Sequence, residues 1–295
     1  MNGEGTPVVS VIIPVWNRPD DIRQCLESLT RQTLAKHCYE VIVVDNGSTD
    51  DTVEVARSFG VTVLVEPQPG SYAARNRGLE AVRGQYVAFT DSDCTAHERW
   101  LEAGLGVLEE NGGEGVVVGH VELVSNGESR SSLCDAYERT FAFNQERNAS
   151  RGRAVTANWF SRTAIVRDAG GFRSDLKSGG DFDLARRLDA AGHPFHYARD
   201  VLVYHPARAT FSELSSKARR VIGGRMWASQ PFRPNPLPWW FGLGKDAARR
   251  LLILYRSKGL GLAMKLRLSA LILALFGVSS LEVVNICMGR QPRRA

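Results

Sequence analysis

Four short apolar runs, at 8–13, 41–44, 61–65 and Tyr86–Phe89, alternate with helical patterns over the first 90 residues. Nothing else in the chain limits its fold as tightly. Runs rich in Val and Ile with no polar face belong to strands covered on both sides, as in a parallel sheet. The first run ends at Pro14. After it, Ile22, Cys25, Leu26 and Leu29 keep the i, i+3, i+4, i+7 spacing behind Asp20 or Asp21 as the cap. Residues 48–51 are good caps for a second helix carrying Val53, Ala56 and Phe59, and 71–82 reads as a third. Short links between such elements predict an α/β fold with a mostly parallel sheet flanked by helices.

In sheets of this kind, ligands sit beyond the carboxyl ends of the strands. Pro14, Trp16 and Asn17 follow the first strand, Asp45 the second, Glu66 the third, and Asp91 and Asp93 the fourth. Acidic and polar residues therefore collect on one rim, which is the expected site. In Thr90-Asp91-Ser92-Asp93-Cys94, two carboxylates one residue apart at a strand end can reach one hard divalent cation, which can bridge diphosphate oxygens. An isolated Asp-x-Asp is more often a solvated turn, but its position after a fourth strand, in frame with Asp45, favours a site. Cys94 lies beside negative charge, which disfavours a thiolate, so it reads as packing.

Gly70-Ser71-Tyr72-Ala73-Ala74-Arg75-Asn76-Arg77-Gly78 opens a helix with small residues and two guanidinium groups, suited to a phosphate-bearing ligand. No GxGxxG follows the first strand and no GxxxxGK[ST] is present, which argues against nicotinamide enzymes and P-loop NTPases. Ser178-Gly179-Gly180-Asp181-Phe182-Asp183-Leu184 sets two acids at the start of a helix. One of them can take a proton from an acceptor hydroxyl, while both also suit the helix dipole, Asp183 especially. His205 closes the strand-like Val201-Leu202-Val203-Tyr204-His205 and is a candidate metal ligand beside the carboxylate pair.

Together these segments resemble family 2 glycosyltransferases. Val-Ser-Val-Ile-Ile-Pro-Val-Trp-Asn-Arg, Val-Ile-Val-Val-Asp-Asn-Gly-Ser-Thr-Asp, Ala-Arg-Asn-Arg-Gly and Thr-Asp-Ser-Asp occur in the family's order, and the likeness covers roughly 8–206. It implies a GT-A fold, a nucleotide diphosphate sugar donor, Mn²⁺ or Mg²⁺, and inversion at the anomeric carbon. Asp45 would read the base. Asp91 and Asp93 would hold ribose, metal and diphosphate, His205 would stand near the metal, and Asp181 would be the catalytic base. Trp159 falls where the family builds its acceptor pocket and would stack on a sugar face. Pro14, Trp16, Asn17, Glu66, Arg75, Asn76 and Asp183 complete the expected substrate-binding set. One departure stands out: where the family usually shows Gly-Glu-Asp, this chain has Gly179-Gly180-Asp181.

Charge divides the chain. After Pro206, 16 basic residues face three acids, whereas the first 206 residues carry 21 basic and 29 acidic side chains. The expected organisation is a catalytic domain at 1–206, with a nucleotide-sugar half at about 8–94 and an acceptor half at about 95–206. A basic helical tail follows at 207–295. In the tail, 231–240 holds four prolines and Trp239-Trp240 and reads as an irregular connector. The stretch 268–281 has no charge but is broken by Glu282 and is short of the about 20 residues that span a bilayer. Apolar helices with Lys/Arg flanks and paired Trp predict a segment lying on, or re-entrant in, the cytoplasmic membrane leaflet. The alternatives are one poor transmembrane helix or a helical subdomain packed on the catalytic body. Nucleic acid is disfavoured because the tail is too apolar for a solvated basic arm. Five scattered cysteines without a CxxC pair predict neither a disulfide framework nor structural zinc, and fit a reducing compartment. The polar 1–7 segment does not read as a signal peptide. Two rivals carry the same acids: a nucleotidyltransferase, which lacks its basic Gly-rich loop here, and a non-catalytic glycan-binding or scaffold protein.

Overall fold

The structure, a computed structural model, describes residues 5–125, 132–229 and 235–291. In chain order its elements begin with β1 (Val9–Val15), α1 (Pro19–Thr30), β2 (Tyr39–Asp45), α2 (Thr52–Ser58), β3 (Thr62–Val65), α3 (Ser71–Ala81) and β4 (Tyr86–Phe89). Then follow β5 (Thr95–Ala96), α4 (Trp100–Glu110), β6 (Val116–Val124), α5 (Leu133–Phe141), α6 (Gln145–Ala149), β7 (Trp159–Arg162) and α7 (Thr163–Asp168). The last are α8 (Gly180–Ala190), β8 (Phe195–Pro206), α9 (Phe211–Ala228), α10 (Leu237–Arg256) and α11 (Leu262–Cys287).

One eight-stranded sheet runs β3-β2-β1-β4-β7-β6-β8-β5. The first four strands are parallel. β4 and β7, β7 and β6, and β8 and β5 pair antiparallel, so the sheet is parallel only in its first half. Every residue of β1 is buried, as its unbroken apolar run requires. Pro14 does not end that strand but lies within it, opposite Val44. Ile12 accepts from the Thr90 N–H on the β4 side, and alternation turns Pro14 to that side too, beyond the last β1–β4 pair at Phe89. The N–H that proline lacks is therefore not needed by the ladder.

α1 starts at Pro19, earlier than the expected cap, because proline's fixed φ suits the first helical turn; Asp20 and Asp21 lie in that turn, where the dipole favours them. α2 buries Thr52, Val55 and Ala56, leaving Val53 and Phe59 only partly covered.

The chain divides into two compact units: Met1–Glu122, Phe143–Ser174 and Gly180–Pro206 form one, and Leu123–Ala142, Asp175–Gly179 and Ala207–Ala295 the other. This differs from a single cut after Pro206, because two short internal segments belong with the tail. In the first unit, Val11, Ile13, Leu26, Val43, Trp100 and Phe160 lie at the centre of the apolar core. Each such aliphatic side chain contributes about 1.5–3 kcal/mol on burial.

In the second unit α5, α9, α10 and α11 pack through Leu214, Leu254, Leu268 and Leu271, with a further cluster of Ile222, Met226, Val283 and Ile286. Thr210 and Glu213 close a capping box at the start of α9. Buried Glu138 pairs with Arg208 at 2.8 Å and Lys217 at 2.9 Å. Burial works against the Glu138 carboxylate, but the two cations outweigh it and hold its pKa below the usual range. The Trp pair lies in the first turn of α10, not in an irregular connector, with Pro236 as N-cap and Pro238 where helices tolerate proline. The connector's earlier part, 231–234, lies outside the described residues. Glu282 does not break α11; it is buried within it. By length and composition α11 is apolar enough to cross a membrane, but 39% of its most apolar window is buried inside the protein.

Gly104 of α4 lies so close to the Phe160 ring that a Cβ would stand 2.6 Å from it, and that ring is fixed edge-on against Trp100. Overpacking of this kind typically costs about 1–3 kcal/mol. Gly104→Ala should therefore lower the urea midpoint with little change in slope, while the same change at Gly106, where space is open, should be neutral or stabilising.

Candidate active site

The ends of β1, β2 and β4 bring the expected rim together. After β2, Asp45 turns its buried carboxylate back onto the N–H groups of Gly47 and Ser48, at 3.1 Å each. Asn17 sits at φ 49, a left-handed conformation uncommon outside glycine, and holds it by bridging. Its N–H donates to the Ser48 hydroxyl, and its side-chain oxygen accepts from the Thr49 N–H. The β1 and β2 loops are thus bound to each other beside Asp45. Trp16 is 40% exposed on this rim. Glu66, half-buried after β3, accepts from the N–H of Gln68.

Asn46 ties the loop after β2 to the loop between β3 and α3. Its amide donates to the carbonyls of Glu66 and Gln68, and its oxygen accepts from Gly70 N–H at the start of α3. A side chain bonded to three distant backbone groups leaves no local signal in the sequence.

After β4, Asp91 and Asp93 meet His205 from the end of β8, with one ligand atom from each lying within 4.8 Å of the others. His205 is 4% exposed, and its Nδ1 lies 2.8 Å from the carbonyl of Pro206. A carbonyl only accepts, so Nδ1 donates to it and Nε2 is the ring nitrogen that faces the site. Nε2 stands 3.6 Å from Asp93 Oδ2. Hard cations hold oxygen at about 2.0–2.6 Å, which sets neighbouring ligands roughly 3–4 Å apart. Two carboxylates and an imidazole aimed by its other nitrogen are a donor set that fits a divalent metal ion. The negative pair is felt nearby: burial, then Asp93, raises the thiol pKa of both Cys25 and Cys94. Both are buried thiols, and the five cysteines are free.

Arg75 supplies the opposing charge. Its side chain is almost wholly buried, lies within 5.9 Å of the Tyr72 and Phe172 ring centres, and donates to Asp91. Asp181, in the first turn of α8, feels the same field. Burial raises its pKa, opposed by the N–H of Phe182 and by Arg75, while Asp91 adds to the rise.

Of three expected substrate contacts, one is wholly buried and two are tied within the protein. Trp159 has no exposed surface: its ring lies edge-on to Phe89 and Phe195, and its N–H donates to Ser161, so no face is left for a sugar. Asn76 spends its amide on both backbone groups of Phe172. Asp183 is held by Arg186 and Arg187 at 3.0 Å each, and Arg187 reaches on to the carbonyls of Ala169 and Gly171. These are internal ties, which composition could not separate from ligand contacts.

Against this geometry, the relationships to known proteins are specific. Residues 10–170 match the model of Glycosyl transferase family 2. Glycosyltransferase AglE of Haloferax volcanii is 42% identical over 227 residues, covering 75% of this chain and 73% of AglE. Pre-mycofactocin glycosyltransferase of Mycobacterium tuberculosis is 34% identical over 211 residues, covering 68% of this chain but only 43% of that protein. The fold is shared with mannosyltransferase PcManGT of Pyrobaculum calidifontis, solved with GDP-Man and Mn²⁺, at TM-score 0.57 and 20% identity over 96% of this chain and 86% of that one. S. aureus TarS gives 0.56 at 18%, covering 94% of this chain and 55% of the TarS chain. A half-parallel sheet flanked by helices, shared with these structures, defines the class, a GT-A fold. The chain belongs to glycosyl transferase family 2 and is a glycosyltransferase.

The raised pKa of Asp181 has a stability consequence. A carboxyl whose folded pKa exceeds its usual 3.8 binds protons more tightly when folded, so its contribution is full at low pH and is lost as pH rises through the folded pKa. In metal-free buffer, Asp181→Asn should melt higher than the parent at neutral pH, and the gap should close below pH 4. Equal melting of the two across this range would refute the burial argument.

Proposed function

We propose that the chain is an inverting glycosyltransferase that moves a sugar from a nucleotide diphosphate sugar, a UDP-sugar in first place, to a hydroxyl of a lipid-linked or polysaccharide acceptor. The observation that carries this is the convergence of Asp91, Asp93 and His205 at the carboxyl edge of the parallel strands. PcManGT with GDP-Man and Mn²⁺ and TarS with UDP support a metal-assisted nucleotide donor, and they keep GDP beside UDP in the test.

Asp45 and Asn17 border the place for the base. Asp91, Asp93 and His205 would hold a Mn²⁺ or Mg²⁺ ion. When bound, that cation offsets the charge of the departing diphosphate. Arg75 keeps Asp91 oriented toward the ligand. Asp181, its carboxylate made more basic by burial, takes the acceptor proton as the hydroxyl attacks from the face opposite the diphosphate. Melting of the protein against UDP, GDP, dTDP and their sugar conjugates, with and without Mn²⁺, tests the scheme. Ligand at 100 times its Kd adds about 2.7 kcal/mol. One nucleotide should give a Mn²⁺-dependent rise that Asp93→Ala abolishes. Asp181→Asn should keep that rise and lose about 10²–10⁴-fold in turnover. No rise with any nucleotide would favour the scaffold reading; undiminished turnover in Asp181→Asn would remove it as base.

The same reading places the enzyme on the cytoplasmic membrane surface through its tail. Exposed Leu237, Phe241, Leu262 and Leu266 on α10 and α11, with Lys245 and Lys265 beside them, support a peripheral lipid contact. The full chain should sediment with vesicles containing anionic lipid, and Phe241→Ser with Leu266→Ser should release it into the supernatant. Sedimentation unchanged in that double variant would count against the surface.

A further inference from the structure

Gly180 opens α8 directly before Asp181, in the place where the family resemblance leads one to expect glutamate. A Cβ at this position would lie 2.8 Å from the Tyr72 ring, nearer than real contacts allow. The ring is backed by a second aromatic. It stacks on Phe172 with centroids 5.9 Å apart and planes 14° from parallel. Phe172 is itself pinned, its backbone held at both N–H and C=O by Asn76 and its ring set edge-on to Phe89 at 5.2 Å. Tyr72 therefore lies against an anchored ring, and any side chain at 180 must displace it or displace the turn that carries Asp181.

We infer that Tyr72 takes the volume which a side chain at position 180 would fill, and acts as a positioning residue that seats the first turn of α8 and with it the Asp181 carboxylate. Glycine at 180 is then the complement of Tyr72, not a lost acceptor contact. The inference rests on Asp181 being the base, a reading that Asp181→Asn tests separately. Tyr72 is only 9% exposed, in keeping with packing against α8.

A double-mutant cycle tests this. Gly180→Ala is the small probe and Gly180→Glu the large one, each made alone and with Tyr72→Ala. The readouts are the melting temperature, and UDP or GDP release from a mixture of UDP-glucose, UDP-galactose, UDP-N-acetylglucosamine and GDP-mannose with Mn²⁺. Gly180→Ala should lower both melting temperature and kcat. The loss in kcat should approach 10²-fold, as about 1 Å of misplacement can cause, with the donor KM unchanged. In the Tyr72→Ala background, adding Ala or Glu at 180 should cost little and should recover part of the activity. Tyr72→Phe, which keeps the ring, should remain intolerant of Ala at 180. Additive melting effects would overturn the shared volume. Coupled melting with kcat unmoved would reduce Tyr72 to a structural role and overturn the positioning claim. If a variant fails to fold alone but folds with Tyr72→Ala, the coupling stands; if it fails in both backgrounds, the shared volume is refuted.

Discussion

Carboxylates gathered on one sheet edge repel each other, and the buried guanidinium of Arg75 is the cation set against them. Two unit charges 4 Å apart interact by about 4 kcal/mol at an effective dielectric of 20, so an acidic cluster like this needs a fixed counter-charge. Arg75 is fixed because it lies against Tyr72 and Phe172, Phe172 is held by Asn76, and Asp91 receives the charge at the other end. The bond therefore links the start of α3, the loop at Phe172 and the end of β4 in one arrangement. Loss of any of these supports would loosen the carboxylates as a group.

The loops around this centre follow the same logic of using side chains to replace missing ladder bonds. Where the parallel strands end, backbone groups lose their partners, and Asp45, Asn46 and Asn17 supply them. Rigidity on the rim is thus produced by polar residues at the carboxyl edge of the parallel strands. His205 repeats the pattern from the antiparallel half, where the Pro206 carbonyl orients the ring toward Asp93. In the helical unit, buried Glu138 is satisfied by Arg208 and Lys217.

What was legible in the residues was the parallel half of the fold and the line of acids along its edge. β4 lies at the expected positions and β2 and β3 within a few residues of them, because apolar runs and their punctuation are local signals. The antiparallel half was not legible, since β7 has only four residues and its pairing with β4 spans some 70 positions. Asn76, Trp159 and Asp183 share one feature that the sequence does not display. Each has the chemistry of a ligand contact, but each spends it on Phe172, on Ser161 and the aromatic core, or on Arg186 and Arg187.

By itself, then, the sequence determined the strand and helix alternation, the rim and the acids on it, because these depend on periods of two and 3.6 and on the residues that follow each strand. Tertiary structure alone decided which polar groups remain for chemistry. It brought His205 to Asp93 across more than a hundred residues, consumed the amide of Asn76, buried Trp159, and set Tyr72 in the space above Gly180. The physical reason is that a side chain's availability is fixed by what packs against it, and those neighbours come from distant parts of the chain.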